Sequence, residues 1–566
     1  MRSTLLLAAL VPFAAAAAVK REATPTVIAP VPAATVIGTA GDKVESFRGI
    51  PFAQPPVGNL RLRPPQPLDA PLGKIDGTES AKACPQMFFT TAKEQLPANL
   101  LGTLMNLPLF QEVLNAGEDC LTLDVFRPAG VPADAKLPVL FWIYGGGFEL
   151  GSTSLFNGES MAEASVDTNM PVIFVGVNYR VGGFGFMPGK EIKADGAGNL
   201  GLLDQKMGLQ WVADNIAAFG GDPDKVTIWG ESAGAISVLD QMIMFDGDNT
   251  YKGKPLFRGA IMNSGGIIPA DPIDGRKGQL VYDSVVKNGD CASASDTLQC
   301  LRELPYDDFL DATNSVPGIL SYFSVSLAYL PRPDGLSLTD SPDEVALAGK
   351  FAKVPFIIGD QEDEGTLFSL FQTNITTNEE LNTYLNTIFF PYVDPPIVSG
   401  LVDTYGTGAL ESVTENSPFR TGLGNSLYPQ FKKLAAILGD LTFTLTRRAL
   451  LDGLAAVAPE VPSWSYLASY DYGTPVLGTF HGSDLLQVFF GIVPNYASRS
   501  IHSYYFSFVY NLDPNEGDHT YMKWPQWNDG KKKLMNFFAN KAELINDDFR
   551  QDSYEYILEH RAELKI

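Results

Sequence analysis

Residues 230–234 read Gly-Glu-Ser-Ala-Gly, and their flanks give the pentapeptide its meaning. Val226-Thr227-Ile228-Trp229 before it has the makeup of a buried strand, and Ala235-Ile236-Ser237-Val238-Leu239 after it reads as a helix. A serine between two glycines at a strand-to-helix turn is a nucleophile elbow. The turn leaves no room for a Cβ at either glycine and lifts the Ser232 hydroxyl off the sheet end. A hydroxyl is a poor nucleophile until a base takes its proton. Four histidines could serve as that base, namely His481, His502, His519 and His560. His560 lies in a charged helix-like run, His519 in a polar loop, and His502 in a Ser-Ile-His-Ser-Tyr-Tyr run suited to a packed or surface helix. His481 sits in a loop with Gly478 and Gly482 on either side, after the aromatic strand-like run 464–472. By elimination and context His481 is the base.

The base needs a carboxylate to fix its tautomer and stabilise the imidazolium, and at an elbow of this kind the chain order is Ser, acid, His. The acid therefore follows a buried strand between residues 232 and 481. The run 354–359 leads into Asp360-Gln361-Glu362-Asp363-Glu364-Gly365-Thr366, where four acids compete. Spacing does not choose among them, although Gly365 suggests a tight turn that presents Glu364. An oxyanion formed at the attacked carbonyl needs backbone N–H donors. Ala233, next after the nucleophile, supplies one. Gly146 and Gly147, in the Gly145-Gly146-Gly147-Phe148 turn after the apolar run 137–144, supply the others.

Such groups must be held by a scaffold. Runs 137–143, 172–177, 226–229, 259–262 and 354–358 are short, apolar and largely β-branched or aromatic, as buried parallel strands are. Between them, 203–217 carries Met207, Trp211 and Ile216 near helical spacing. This alternation predicts an α/β protein with a mostly parallel sheet and helices on both faces. Site residues spread from Gly145 to His481 suggest one large domain over 22–566, with insertions.

Residues 1–21 read as a signal peptide and propeptide: Arg2, an apolar stretch, an alanine-rich cleavage zone and a dibasic Lys20-Arg21. No later run approaches the roughly 18 apolar residues of a transmembrane helix. A net charge of −24 argues against nucleic-acid partners and anionic membrane surfaces. Four cysteines in an exported chain favour disulfides, and the sequence-local choice among the three pairings is Cys84–Cys120 with Cys291–Cys300. Asn374-Ile375-Thr376 is a glycosylation sequon. The chemistry asks for no metal or cofactor, and no Cys/His cluster has zinc-ligand spacing.

At this point the chain resembles a known family. Phe219-Gly220-Gly221-Asp222-Pro223 through Gly230-Glu231-Ser232-Ala233-Gly234 is similar to the serine signature of type-B carboxylesterases, and Glu118-Asp119-Cys120-Leu121-Thr122-Leu123-Asp124-Val125 to their second signature. Phe47-Arg48-Gly49-Ile50-Pro51-Phe52-Ala53, Asn178-Tyr179-Arg180 and Asn199-Leu200-Gly201-Leu202-Leu203-Asp204-Gln205 extend the likeness. Within the family the chain most resembles fungal sterol esterases and Candida rugosa-like lipases, whose acid and base segments match 360–366 and 478–481. The resemblance implies an α/β-hydrolase fold, places the acid on Glu364, supports both disulfides and makes Glu231 a buried structural or electrostatic residue.

The segment between Cys84 and Cys120, residues 85–119, is strongly apolar, with Met87, Phe88, Phe89, Leu100, Leu101 and Leu104 among its residues. It is long for a plain connection and predicts a lid, tied by the first disulfide in the lipases it resembles. Ile319-Leu320-Ser321-Tyr322-Phe323 and Phe368 are candidates for further apolar lining or simple core. The expected function is a secreted serine ester hydrolase cleaving lipid esters (sterol esters, acylglycerols or both) at a lipid–water interface or micelle. Lid faces offer a route to a homodimer. The alternatives are an esterase for small soluble esters and a non-catalytic binding module on the same fold.

Overall fold

The computed structural model describes residues 24–80, 82–87, 115–156, 158–406, 425–489, 494–517, 520–527, 530 and 532–566. The leader at 1–21, His519 and the larger part of the expected lid, 88–114, lie outside the described residues.

Among the described residues the central sheet has 11 strands. They are β1 (Thr39–Ala40), β2 (Val44–Pro51), β3 (Thr122–Pro128), β4 (Leu137–Ile143), β5 (Ile173–Val177), β6 (Gly221–Glu231), β7 (Gly259–Asn263), β8 (Phe356–Gln361), β9 (Ser463–Ala468), β10 (Lys533–Phe537) and β11 (Ala542–Asn546). Across the sheet the order is β11-β10-β9-β8-β7-β6-β4-β5-β3-β2-β1. From β10 to β5 every neighbouring pair is parallel. The edge pairings β10–β11, β5–β3, β3–β2 and β2–β1 are antiparallel. All five strand-like runs of the sequence fall on central parallel strands. The flanking strands escaped notice there: β3, though buried along its length, carries Asp124 and Arg127, and β10 carries Lys533 and Asn536, so neither shows the continuous apolar run of a central strand.

Order reverses at β4. The chain steps from β4 to β5 on one side, then crosses back to place β6 on the other. Such a switch point opens a crevice beyond the carboxyl ends of the two strands, because their outgoing loops diverge. Here those loops are the glycine turn after β4 and the elbow after β6.

Helices cover both faces. α1 (Leu200–Asn215) packs through Gly208 close to Phe141 of β4 and Val177 of β5. The next residue along β4, Trp142, points the other way. It meets Trp229 and Phe489 with ring centroids 4.6 Å apart in both pairs, and Trp229 packs edge-on against Tyr505 of α2 (Tyr496–Asn511). Both disulfides close in the expected pairing, Cys84–Cys120 and Cys291–Cys300. No helix among the described residues is long and apolar enough to cross a membrane.

The short motifs of the sequence meet one another in space. Arg180 grips Asp204 through Nε at 2.8 Å and Nη2 at 2.7 Å, and its backbone N–H also donates to that carboxylate. Both side chains are buried, so each charge depends on the other. Gly49 N–H donates to Asp124 at 2.7 Å, joining the Phe-Arg-Gly segment to the Glu-Asp-Cys segment. Tyr179 donates its hydroxyl to the Tyr144 carbonyl, and Tyr144 donates to the Tyr179 carbonyl. That reciprocal pair braces the chain where β4 runs into the glycine turn.

Candidate active site

Ser232 follows β6 directly and caps the helix Ala233–Gly247, with φ +57° and ψ −126°. A non-glycine residue is strained there, and the strain is what aims the hydroxyl outward. The flanking glycines make the turn feasible. A Cβ on Gly230 would run into the backbone of Gly234, and one on Gly234 into the backbone of Ile143 and Tyr144.

His481 arrives on the loop after β9. Its Nε2 lies 2.7 Å from Ser232 Oγ, and its Nδ1 lies 2.5 Å from Glu364 Oε2. The other Glu364 oxygen accepts the Gln361 N–H at 2.6 Å, which fixes the carboxylate plane. Hydroxyl, imidazole and carboxylate thus stand in series, though residues 232, 364 and 481 lie far apart in the chain. All three are buried.

The competing acids of the 360–366 segment each have another place. Asp360 pairs with Arg447 at 2.8 Å, and Arg447 reaches on to Asp547 with two bonds of 2.7 Å. Asp363 accepts the Thr479 N–H at 2.8 Å and donates its own N–H to the Thr479 carbonyl at 2.9 Å. It therefore stitches the acid loop to the base loop. Glu362 is buried, and its N–H bonds to the Ala468 carbonyl. Nothing in the sequence distinguished the stitch from the relay, since both need a buried carboxylate in the same turn.

Gly147 and Ala233 line the cavity in front of Ser232, and Gly146 precedes Gly147 in the same turn. No backbone acceptor among the described residues takes their N–H groups. Ala233 opens the helix after the elbow, where the first N–H groups have no intrahelical partner and the helix dipole favours negative charge. Gly147 has φ +65°, and a Cβ there would strike the Ile319 side chain. Ile319 is thus a wall of the site. Its N–H is anchored by Glu149 at 2.7 Å, and burial pushes the pKa of that carboxyl up to about 8.

The electrostatics centre on His481. Burial pulls the imidazole pKa down, but Glu364, then Glu231 and Asp484, outweigh it and push it up to about 9. Glu231 Oε1 sits 3.4 Å from Nε2. Its own carboxyl is pushed up to about 8, first by burial, with Asp484 and Glu364 adding and His481 opposing. Asp484 is held by Asn263 at 2.9 Å and pushed up by burial to about 6. Sequence reasoning passed over Asp484, which one helical turn of spacing from His481 would have flagged. The imidazole is walled by Phe443 at 4.5 Å and Phe368 at 5.0 Å between ring centroids. Phe368 was a candidate lining residue; Phe443 lies in a helical run with no pattern of its own. His502 bonds the Val488 carbonyl and stacks on Phe506, and His560 packs on Tyr556, so neither reaches the elbow. Asn374 is exposed, with its amide donating to Tyr322.

In front of Ser232 lies a narrow cavity of about 30 Å³. Its walls include Phe148, Ile236, Ile268, Ile319, Leu330 and Phe443. Tyr322 and Phe323, which the sequence grouped with Ile319, are instead partly exposed.

A parallel sheet with a serine elbow at its switch point, backed by histidine and a late acid, defines an α/β-hydrolase. The profile of the carboxylesterase family matches residues 26–557, and the chain belongs to that family. It is a carboxylic ester hydrolase. A secreted lipase of Botryotinia fuckeliana is 61% identical over 541 residues, 95% of this chain and 93% of the relative. A secreted triacylglycerol lipase of Gibberella zeae is 58% identical over 556 residues, 98% of this chain and 94% of the relative. The crystal structure of Aspergillus niger EstA superposes with a TM-score of 0.78 at 26% identity, covering 96% of this chain and 99% of that one.

Proposed function

We propose that the chain is a secreted lipase that cleaves long-chain carboxylic esters, acylglycerols or sterol esters, through an acyl-enzyme on Ser232. The observation that carries the reading is the Ser232–His481–Glu364 series of 2.7 and 2.5 Å contacts opening onto an apolar cavity. Names and export of the two fungal relatives support the lipid substrate and the secretion.

In this mechanism Nε2 of His481 takes the hydroxyl proton as Ser232 Oγ attacks the ester carbonyl. The carbonyl oxygen gains negative charge and collects the N–H groups of Gly146, Gly147 and Ala233. Glu364 stabilises the imidazolium and holds Nδ1–H toward itself. The imidazolium then protonates the departing alcohol oxygen as the C–O bond breaks. Water enters, loses a proton to Nε2 and attacks the acyl carbon, and the free acid leaves as Ser232 recovers its proton. Residues 85–119 act as the lid over this cavity, and their apolar faces meet a lipid surface or the lid of a second copy.

Stoichiometric labelling by an organophosphate, blocked in Ser232→Ala, tests the nucleophile. That variant loses about 10⁴–10⁶ in kcat. Rates on a sterol oleate, a triolein emulsion and a short soluble ester test the substrate class. Fastest turnover per enzyme on the soluble ester would favour the small-ester reading instead.

A further inference from the structure

Asp240 is a carboxyl group that the hydrolytic reaction does not use. It follows Ser232 and Ile236 at four-residue intervals along Ala233–Gly247, so the three share one side of the helix, and all three line the cavity. Other residues of that lining are Ile268, Leu330 and Pro331. Asp240 is 0% exposed, and neither of its carboxyl oxygens has a hydrogen-bond partner among the described residues. Thr442, on the same lining, likewise carries a buried hydroxyl without a partner among them. A buried carboxyl left unpaired is costly, and a leucine or methionine would fill the same volume without that cost. A polar group facing a mostly apolar cavity is what a pocket needs to fix the orientation of a ligand.

We propose that Asp240 is a specificity-determining residue that receives a hydroxyl carried midway along the acyl chain of the substrate ester. The proposal rests on the reading of Ser232 as nucleophile. Helical rise sets Asp240 about 12 Å beyond Ser232, the reach of roughly ten chain carbons. Burial holds the Asp240 carboxyl well above the usual carboxylate range and so favours its protonated form, which has one O–H donor and a carbonyl acceptor. A chain hydroxyl meets both: it accepts from the acid O–H and donates to the carbonyl oxygen. An unsubstituted chain leaves Asp240 unpaired, and a site built to bond a hydroxyl discriminates against the analogue that lacks it.

The test uses the whole enzyme and p-nitrophenyl esters of 10-hydroxystearic, stearic and butyric acid. Wild type is expected to prefer the hydroxylated over the plain long chain by about tenfold or more in kcat/KM. Asp240→Leu is expected to abolish or reverse that preference, and Asp240→Asn to keep much of it. Equal kcat/KM on both long chains by wild type, with butyrate hydrolysed, overturns the proposal; so does a folded Asp240→Leu that retains the preference. If Asp240→Leu does not fold, the wild-type comparison alone decides. Failure to hydrolyse any of the three esters would instead overturn the assignment of Ser232.

Discussion

Replacing Glu231 by glutamine should move the acid limb of the pH–rate profile toward lower pH. His481 serves as a base only when unprotonated, and Glu364, Glu231 and Asp484 outweigh burial to push its pKa up to about 9. Activity therefore rises with pH as the imidazole loses its proton, and removing a carboxylate lets that loss occur at lower pH. The Glu231 oxygen stands 3.4 Å from Nε2. At an effective dielectric of about 20, a full charge there is worth about 5 kcal/mol, between 3 and 4 pKa units as a ceiling. Glu231 reaches that ceiling only when ionised, and burial keeps it neutral over much of the range below about 8. The realised shift is accordingly about one unit. The assay is kcat/KM for a soluble p-nitrophenyl ester from about pH 5 to pH 10, where the free enzyme's titrations are read. Glutamine keeps the size of the side chain, so thermal unfolding should change little. An acid limb that stays in place, or moves to higher pH, would refute the claim that Glu231 acts on the imidazole through its charge.

Three further outcomes follow from the same geometry. Glu364→Gln keeps a hydrogen-bond acceptor near Nδ1 but removes the charge that stabilises the imidazolium; kcat should drop by about 10⁴ without loss of fold, as judged by circular dichroism. Arg447→Met strands the Asp360 carboxylate in the interior and leaves Asp547 to Arg448 and Trp527 alone, and chemical denaturation should report about 3–5 kcal/mol of lost stability. Exchanging 88–114 for a polar loop should depress hydrolysis of emulsified triolein more than that of a soluble butyrate ester, and equal losses on both would remove the lid from the account.

The scaffold was legible where its physics is local. A central parallel strand is buried on both sides, so runs such as 137–143 and 259–262 announce themselves by composition. The elbow is legible for the same reason: glycine, serine and glycine satisfy one turn, and the neighbours declare strand and helix. The histidine emerged because the alternatives were few. What depends on distant packing was not readable from local pattern. The choice of Glu364 over Asp360, Glu362 and Asp363 came from family likeness, because it turns on which carboxylate meets a loop more than a hundred residues later. Phe443 and Asp240 reach the reaction space from helices whose patterns look like ordinary core. Asp240 carries a weak signal after all, a lone acid in the apolar run 233–245, and that is where local sequence logic and burial disagree.

The pair of hydrogen bonds between Asp363 and Thr479, one in each direction, has a consequence for alignment. It clamps the two turns that carry Glu364 and His481, while Phe368 and Phe443 hem in the ring. In the proposed mechanism, the Ser232, His481 and Glu364 side chains are thus held in line by the fold itself.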